Sequence, residues 1–142
     1  MCGVVSNAEF HNMLDELVPK LQPSKPDTVI GLARGGLFVA GFVAQRLGIS
    51  GEFVVGLPTY RTDTGDYLIG GLATLRNLTG RKVIIVDDAS IRGILLENTR
   101  DLVLQHGAKT AQTAVLIADD TKYLPDFIVR TQSPLPKFYW EL

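Results

Sequence analysis

The sequence predicts an α/β fold: a single domain in which helices flank a mainly parallel central sheet. The first observation is that short apolar segments rich in β-branched residues alternate with segments of helical periodicity along the chain. The second is the β-branched run at 83–86, which is typical of a strand buried on both faces. The third is the length of 142 residues, which suits one domain with a sizeable core. Ligands of such sheets bind beyond the carboxyl ends of the strands.

The first predicted element is a helix. Its start at Ser6 and Glu9 resembles a capping box, and prolines at 23 and 26 end it. The apolar residues that share one helical stripe are Phe10, Met13, Leu14, Leu17, Val18 and Leu21. Helical spacing over this length predicts one buried face.

A strand is predicted next, over 28–32, and two glycines break it. The residues that follow are nearly all apolar, which predicts a helix over 37–47 with Gly48 as its stop. A second strand is predicted over 53–57. This order of strand, helix and strand indicates a parallel pair with a crossover.

The segment 59–79 is polar, contains glycine and is long for a simple connection, so we expect a flexible lid hairpin there. A third strand, over 82–86, follows it. The next helix carries on one face Ile91, Leu95, Leu96, Thr99, Leu102 and Val103, and Gly107 ends it. Strands over 113–118 and 127–129 complete the sheet, and the tail 134–142 is expected to pack over one end of it.

Composition excludes several classes of function. The net charge is −1 and no basic stripe is visible, so we expect no nucleic-acid partner. The sequence shows neither a signal peptide nor an apolar run long enough to cross a membrane. The single cysteine, Cys2, rules out an intramolecular disulfide, which suits a reducing compartment. We therefore expect a cytoplasmic protein without a membrane partner.

Two adjacent carboxylates, Asp87 and Asp88, end the 82–86 strand and are the principal candidate site. Carboxylates at the end of a buried parallel strand are suited to binding ribose hydroxyls or Mg²⁺. The alternative is that they face water or cap the next helix. Alternation along a strand places the two side chains on opposite sides, which predicts different roles for them.

Two segments are candidates for binding phosphate. After the acid pair we expect a turn in which backbone amides, the Ser90 hydroxyl and the Arg92 guanidinium face an anion at the helix start near Gly93. The alternative for Arg92 is a solvated side chain. The second segment is Ala33-Arg34-Gly35-Gly36, whose glycines let amides approach a phosphate. The alternative is a strand-to-helix turn that needs glycine only for its dihedral angles.

Two further groups are open to two interpretations. Tyr60, Arg61 and Tyr67 lie on the expected lid and either exclude water from a reacting centre or pair across a surface hairpin. Asp119 and Lys122 follow the fourth strand, where either a base is bound or a polar loop is exposed.

From about residue 28 to residue 140, the chain resembles the type I phosphoribosyltransferases. In the order of its elements it is most similar to the small bacterial xanthine-guanine and hypoxanthine enzymes of that family. Ala33-Arg34-Gly35-Gly36 is similar to the loop that in this family holds the pyrophosphate of phosphoribosyl pyrophosphate. Thr59-Tyr60 resembles the start of the family's flexible loop, and the segment 83–88 resembles its signature motif. Trp140-Glu141 is similar to an aromatic and acidic pair near the family's C-terminus.

The resemblance implies transfer of ribose 5-phosphate from phosphoribosyl pyrophosphate to a nucleobase, with release of pyrophosphate. The nucleobase expected from the resemblance is a purine. The resemblance also implies Asp87, Asp88 and Arg34 as catalytic residues, and Mg²⁺ held near the two aspartates indirectly or through the substrate. Independently, the apolar surface offered by the Trp140 tail and the first helix leads us to expect a homodimer or homotetramer. The residues that the resemblance implies in substrate binding are Ala33, Arg34, Gly35, Gly36, Tyr60, Asp87, Asp88, Ala89, Ser90, Ile91, Arg92, Gly93, Ile94 and Asp119.

The chain departs from the family pattern where the base and the 5′-phosphate bind. Ile91 stands where the family has an aspartate, and Arg92 is expected to replace threonines that hold the 5′-phosphate. Asp119 occupies the position nearest to that of a family lysine that contacts a 6-oxo group. Leu135 occupies the position of the family's aromatic residue that stacks on the base. These departures support one alternative, a catalytically degenerate regulatory protein that binds phosphoribosyl pyrophosphate or a nucleotide. A further alternative is an unrelated doubly wound phosphoacceptor domain, but the Ala33-Arg34-Gly35-Gly36 loop argues against it, because such a domain has no use for a second anion site.

Overall fold

A five-stranded parallel sheet forms the centre of the molecule. The computed structural model describes residues 3–61, 67–69, 78–91, 93–119 and 124–141. The strands, in spatial order, are β3 (Val54–Leu57), β2 (Thr28–Leu32), β6 (Lys82–Ser90), β7 (Thr110–Ala118) and β8 (Phe127–Thr131). Every neighbouring pair is parallel, which confirms the predicted α/β class with a mainly parallel sheet.

Two short two-stranded sheets accompany the central one. β1 (Val4–Val5) pairs in parallel with β9 (Lys137–Phe138), so the tail is joined to the beginning of the chain. β4 (Thr59–Arg61) and β5 (Tyr67–Ile69) pair in antiparallel fashion and form the predicted hairpin. The remainder of the predicted lid, 62–66 and 70–77, lies outside the described residues.

In the part of the chain that the structure describes, three α-helices flank the sheet: α1 (Asn7–Leu21), α2 (Gly35–Leu47) and α3 (Ile94–Gln105). The Ser6 side chain caps α1 by accepting a hydrogen bond from the amide of Glu9 at 3.1 Å. The six residues of the predicted apolar stripe of α1 are its buried residues. Gly48 ends α2 with a φ of 71°, a left-handed conformation that glycine adopts without a Cβ penalty.

The sheet is buried on both faces, which explains the apolar run at 83–86. Ile84 and Val86 belong to a core cluster shared with α1 and α2. Val83 and Ile85 belong to a second cluster with residues of α3. Since side chains alternate along a strand, a strand covered on both faces must be apolar at every position.

Some predicted boundaries are wrong. α2 begins at Gly35 rather than at residue 37, because both glycines enter its first turn. β6 does not end at residue 86 but continues to Ser90, where pairing with β7 extends as far as Ala118. The ends of β3, β7 and β8 differ from the predicted ends by a few residues.

The start of α3 also differs from expectation. Ile91 precedes α3 and is 63% exposed, so it does not belong to the buried face of that helix. The tail pairs with β1, and the rings of Tyr139 and Trp140 pack against Phe10 of α1. Within the described ranges, no helix combines the length and the apolar character needed to cross a membrane.

Candidate functional site

The carboxyl ends of β2 and β6 meet at one cleft. These strands are parallel neighbours in the sheet, so the loop after β2 and the acid pair of β6 arrive at the same edge. The cleft has a volume of about 220 Å³. It is lined by Ala33, Arg34, Gly35, Thr59, Asp87, Asp88, Ala89, Ser90, Ile91, Leu95 and Leu96.

The two glycines of the 33–36 loop bring the first turn of α2 directly onto the acid pair. A Cβ added at Gly35 would overlap the Asp88 carboxylate and would lie 2.7 Å from its Oδ1 atom. A Cβ added at Gly36 would lie 2.7 Å from the carbonyl oxygen of Val86 and 3.3 Å from Asp87 Oδ1. Glycine is therefore required here for close approach, and the positive end of the α2 dipole faces two carboxyl groups.

The 33–36 loop is held on its other side by β3 and β4. The amide of Ala33 donates to the carbonyl oxygen of Leu57 at 2.9 Å, and Thr59 Oγ1 donates to the carbonyl oxygen of Ala33 at 3.0 Å. The peptide bond between Ala33 and Arg34 is cis. The Arg34 side chain is exposed at the edge of the cleft. The loop thus offers one cation beside the two carboxyl groups.

Asp87 and Asp88 bend back along their own strand. Asp87 Oδ1 accepts from the amide of Asp88 at 2.9 Å, and Asp88 Oδ1 accepts from the amide of Ala89 at 2.7 Å. The two carboxyl groups also share a hydrogen bond, and both approach α2. Both carboxyl groups are therefore held by local hydrogen bonds beside the first turn of α2.

Burial raises the pKa of both carboxyl groups. For Asp87 the pKa is raised well above its ordinary value, first by burial and then by the neighbouring charge of Asp88. For Asp88 burial is again the largest cause, and the charge of Glu141 adds to it. Two like groups that compete for ionisation in this way share a proton readily. A cation bound beside them would reverse the effect.

The raised pKa of Asp87 predicts how stability depends on pH. The folded protein holds a proton on Asp87 that the unfolded chain has already lost, so the free energy of unfolding falls as pH rises from the ordinary carboxyl pKa to the raised one. Asp87→Asn keeps the oxygen that accepts from Asp88 and removes the charge. We expect this variant to gain stability over wild type as pH rises, by about 1.4 kcal/mol per unit of pKa shift. Urea unfolding at several pH values measures it, and parallel curves would contradict it.

The donor set at the cleft fits a hard divalent cation. Carboxylate oxygens are the protein ligands that Mg²⁺ takes, usually one or two of them together with substrate oxygens and water. Asp87 and Asp88 supply that number. In the part of the chain that the structure describes, no three His, Cys, Asp or Glu residues form a metal-binding group. The remaining ligands would therefore come from substrate and water.

The structure brings most of the predicted site residues together. Of the predicted substrate-binding residues, those that line the cleft are Ala33, Arg34, Gly35, Asp87, Asp88, Ala89, Ser90 and Ile91. Gly36 contacts Asp87, and Tyr60 is exposed next to the lining residue Thr59. Gly93 and Ile94 form the start of α3 beside the cleft. Arg92 and Lys122 lie outside the described residues.

Two features of the predicted site differ in the structure. Ala89 and Ser90 belong to β6 and pair with β7, so the strand continues through them instead of turning directly after the acid pair. Asp119 does not line the cleft. Its amide donates to the carbonyl oxygen of Ser90 at 3.1 Å, which places its backbone next to the end of β6. Sheet pairing accounts for both differences.

Four residues near the cleft carried no signal of their own as site residues in the sequence. Thr59, Leu95 and Leu96 line it, and Glu141 acts on Asp88 through its charge. Thr59 and Glu141 came to notice only beside Tyr60 and Trp140 in the family resemblance. Their placement depends on how distant segments fold together.

Comparison with known proteins is consistent with this geometry. The profile of the family "Phosphoribosyl transferase domain" matches residues 9–141. A search of curated protein sequences gives no significant match. Among solved structures, the purine phosphoribosyltransferase from Pyrococcus horikoshii Ot3 is similar, with 28% identity and a TM-score of 0.83 over 99% of this chain and 93% of that one.

Two further solved structures share the fold. The xanthine-guanine-hypoxanthine phosphoribosyltransferase of Helicobacter pylori has 20% identity and a TM-score of 0.87, covering 99% of this chain and 94% of that one. A hypothetical protein from Neisseria gonorrhoeae with bound ppGpp has 18% identity and a TM-score of 0.79, covering 100% of this chain and 91% of that one.

Proposed function

Because the chain belongs to the phosphoribosyl transferase domain family, we propose that it transfers ribose 5-phosphate from phosphoribosyl pyrophosphate to a nucleobase, with release of pyrophosphate. One observation carries the proposal: Gly35 packs on Asp88, so an anion-binding loop and an acid pair share one cleft. Phosphoribosyl pyrophosphate presents a diphosphate and ribose hydroxyls on neighbouring atoms. A cleft that pairs amides and a guanidinium with carboxylates is complementary to that combination.

The reaction needs positioning and charge more than covalent chemistry. Arg34 and the amides at the start of α2 would bind the diphosphate, which departs with the electrons of its bond to ribose C1. Asp87 and Asp88 would accept hydrogen bonds from the ribose hydroxyls. A base nitrogen then forms the new bond to C1 and releases its proton to solvent. Fixing both reactants in one cleft lowers the entropic part of the barrier.

Mg²⁺ belongs to the proposal because the ligand is an anion and two carboxyl groups line the cleft. Among the described lining residues one, Arg34, is a cation, and a bound Mg²⁺ would favour the ionised form of Asp87 and Asp88, whose pKa values burial raises. Bound Mg²⁺ would neutralise the diphosphate as it leaves. Asp87 and Asp88 would hold it directly or through the substrate. Binding of phosphoribosyl pyrophosphate should therefore require the cation.

We further propose that residues 1–142 act as one phosphoribosyltransferase domain with the hairpin of β4 and β5 as its lid. Tyr60 is 56% exposed on β4, directly after Thr59 of the cleft. An exposed aromatic ring at that place is suited to covering a bound substrate and excluding water. We propose a cytoplasmic homodimer or homotetramer, in line with the composition and the apolar surface of the tail and first helix described above.

We infer the base preference of the proposed enzyme from Asp119, whose backbone lies next to the end of β6, on the premise that its side chain faces a base bound at that edge of the sheet. A carboxylate accepts hydrogen bonds, so a base that presents an amino group would be favoured over one that presents a 6-oxo group. Among purines we therefore expect adenine to exceed hypoxanthine. Pyrophosphate release with Mg²⁺ and a panel of purine and pyrimidine bases measures this. Equal or faster release with hypoxanthine would contradict the preference but not the transferase activity.

A second candidate function is a regulatory protein that binds phosphoribosyl pyrophosphate or a nucleotide without turnover. Ile91 favours it, because this exposed hydrocarbon side chain at the cleft cannot exchange a proton with a base. The neighbour from Neisseria gonorrhoeae, which has bound ppGpp, shares the fold. Calorimetric binding of phosphoribosyl pyrophosphate with no pyrophosphate release over the whole panel would favour this function. Absence of both binding and release would reject both candidates.

A further inference from the structure

The single tryptophan of the chain, Trp140, stacks with two phenyl rings from different parts of the fold. Its ring lies 4.6 Å from Phe38 of α2 with an interplanar angle of 18°. It lies 4.6 Å from Phe138 of β9 with an interplanar angle of 11°. Stacked aromatic pairs at these separations are attractive beyond the area that they bury. We call these three residues the aromatic stack.

One end of the aromatic stack belongs to the helix turn that meets the acid pair. Phe38 lies in the first turns of α2, close in sequence to Gly35 and Gly36. Those two glycines are in van der Waals contact with the carboxyl groups of Asp88 and Asp87. The Phe38 side chain is also 44% exposed, so it is only partly buried in the fold. The Trp140 ring joins the tail to this end of α2.

The other end of the aromatic stack is anchored to the N-terminal part of the chain. Phe138 is fully buried, and its strand β9 pairs with β1. The amide of Phe138 donates to Glu141 Oε1 at 3.0 Å, which closes the tail into a tight turn around Trp140. The charge of Glu141 acts on Asp88, so the same turn brings a carboxylate to the acid pair.

We propose that Trp140 is a positioning residue: by stacking with Phe38 and Phe138, it holds the first turn of α2 and the tail at a fixed distance from the acid pair. Gly35 and Asp88 are packed so closely that a Cβ added at Gly35 would overlap the carboxylate. A small shift of α2 therefore changes the spacing between the 33–36 loop and the two carboxylates. Ligand binding depends on that spacing. The consequence for phosphoribosyl pyrophosphate rests on the function proposed above, whereas the consequence for the unliganded protein does not.

Hydrogen exchange of the unliganded protein tests the positioning directly. The amide of Leu37, bonded to the Arg34 carbonyl oxygen, reports on the first turn of α2, and the amide of Ala89, bonded to Asp88, reports on the acid pair. In Trp140→Ala we expect exchange at both amides to rise about tenfold relative to amides of α3. Trp140→Phe, which keeps a stacking ring, should stay within about threefold of wild type.

Phe42→Leu is the matched control. Phe42 lies on the same helix and makes edge contacts with Phe10 and His11, but it is not part of the aromatic stack. Its loss weakens core packing without releasing the first turn of α2. Equal exchange at Leu37 and Ala89 in Trp140→Ala and Phe42→Leu, or no rise in Trp140→Ala, would overturn the proposal.

Binding separates this inference from the proposed function. With Mg²⁺ and phosphoribosyl pyrophosphate, we expect Trp140→Ala to bind about tenfold more weakly than wild type, and Phe42→Leu to bind within about twofold. Unchanged affinity in Trp140→Ala would overturn the positioning role. If wild type binds no phosphoribosyl pyrophosphate while exchange rises as expected, the proposed function fails and the positioning role stands.

Discussion

Gly35→Ala is expected to lower kcat/KM for phosphoribosyl pyrophosphate by about 100-fold or more. The new Cβ would overlap the Asp88 carboxylate, so either the first turn of α2 or the acid pair must move. Both are proposed to contact the same substrate, so a shift of either one changes the distance between the groups that bind it. Because the overlap is with a packed carboxyl group beside a strand, we also expect a loss of about 1–3 kcal/mol in the free energy of unfolding.

Gly41→Ala is the control for this substitution. Gly41 lies on the same helix, and a Cβ added there would meet nothing within 4 Å. Alanine is the better helix former, so we expect a gain of about 0.5–1 kcal/mol in stability and unchanged activity. Steady-state kinetics and urea unfolding of both variants provide the measurement. Normal kinetics in Gly35→Ala would contradict the need for close approach between this residue and Asp88.

Asp88→Asn is expected to lower kcat/KM by about 100-fold while raising stability at neutral pH. The substitution keeps the oxygen that accepts from Ala89, so the strand geometry is preserved. It removes a carboxyl group whose pKa is raised chiefly by burial. Ionisation of Asp88 therefore lowers the free energy of unfolding, and the uncharged amide avoids this loss. It also removes a carboxylate proposed to bind the ribose hydroxyls. Opposite changes in activity and stability are the signature of a functional group held against its folding preference.

Asp126→Ala provides the opposite case. Asp126 Oδ2 accepts from the amide of Thr113 at 2.9 Å, at the amino ends of β7 and β8, away from the cleft. We expect this variant to lose about 1–2 kcal/mol of stability and to keep its kcat/KM. Enzyme kinetics and denaturant unfolding of both aspartate variants test the pair. An Asp88→Asn variant that is less stable than wild type, or equally active, would contradict the assignment.

Local patterns determined the elements of the fold. The helical stripe of α1 and the run at 83–86 are regular patterns of apolar residues along the sequence. The period of such a pattern indicates whether the element is buried on one face or on two. The Ser6 cap and the Gly48 stop depend on neighbouring residues alone. For the same reason the anion loop and the acid pair were visible as motifs, since each is a short segment whose chemistry does not depend on the rest of the chain.

Only the tertiary structure decided how those motifs meet. Pairing with β7 carries β6 beyond the acid pair to Ser90, against the turn that aspartates favour locally. The contact of Gly35 with Asp88 and the effect of Glu141 on Asp88 join segments far apart in sequence. The stacking of Trp140 with Phe38 spans most of the chain. A local pattern carries propensity and period, whereas the spacing between distant groups is set by the packing of the whole sheet and its helices.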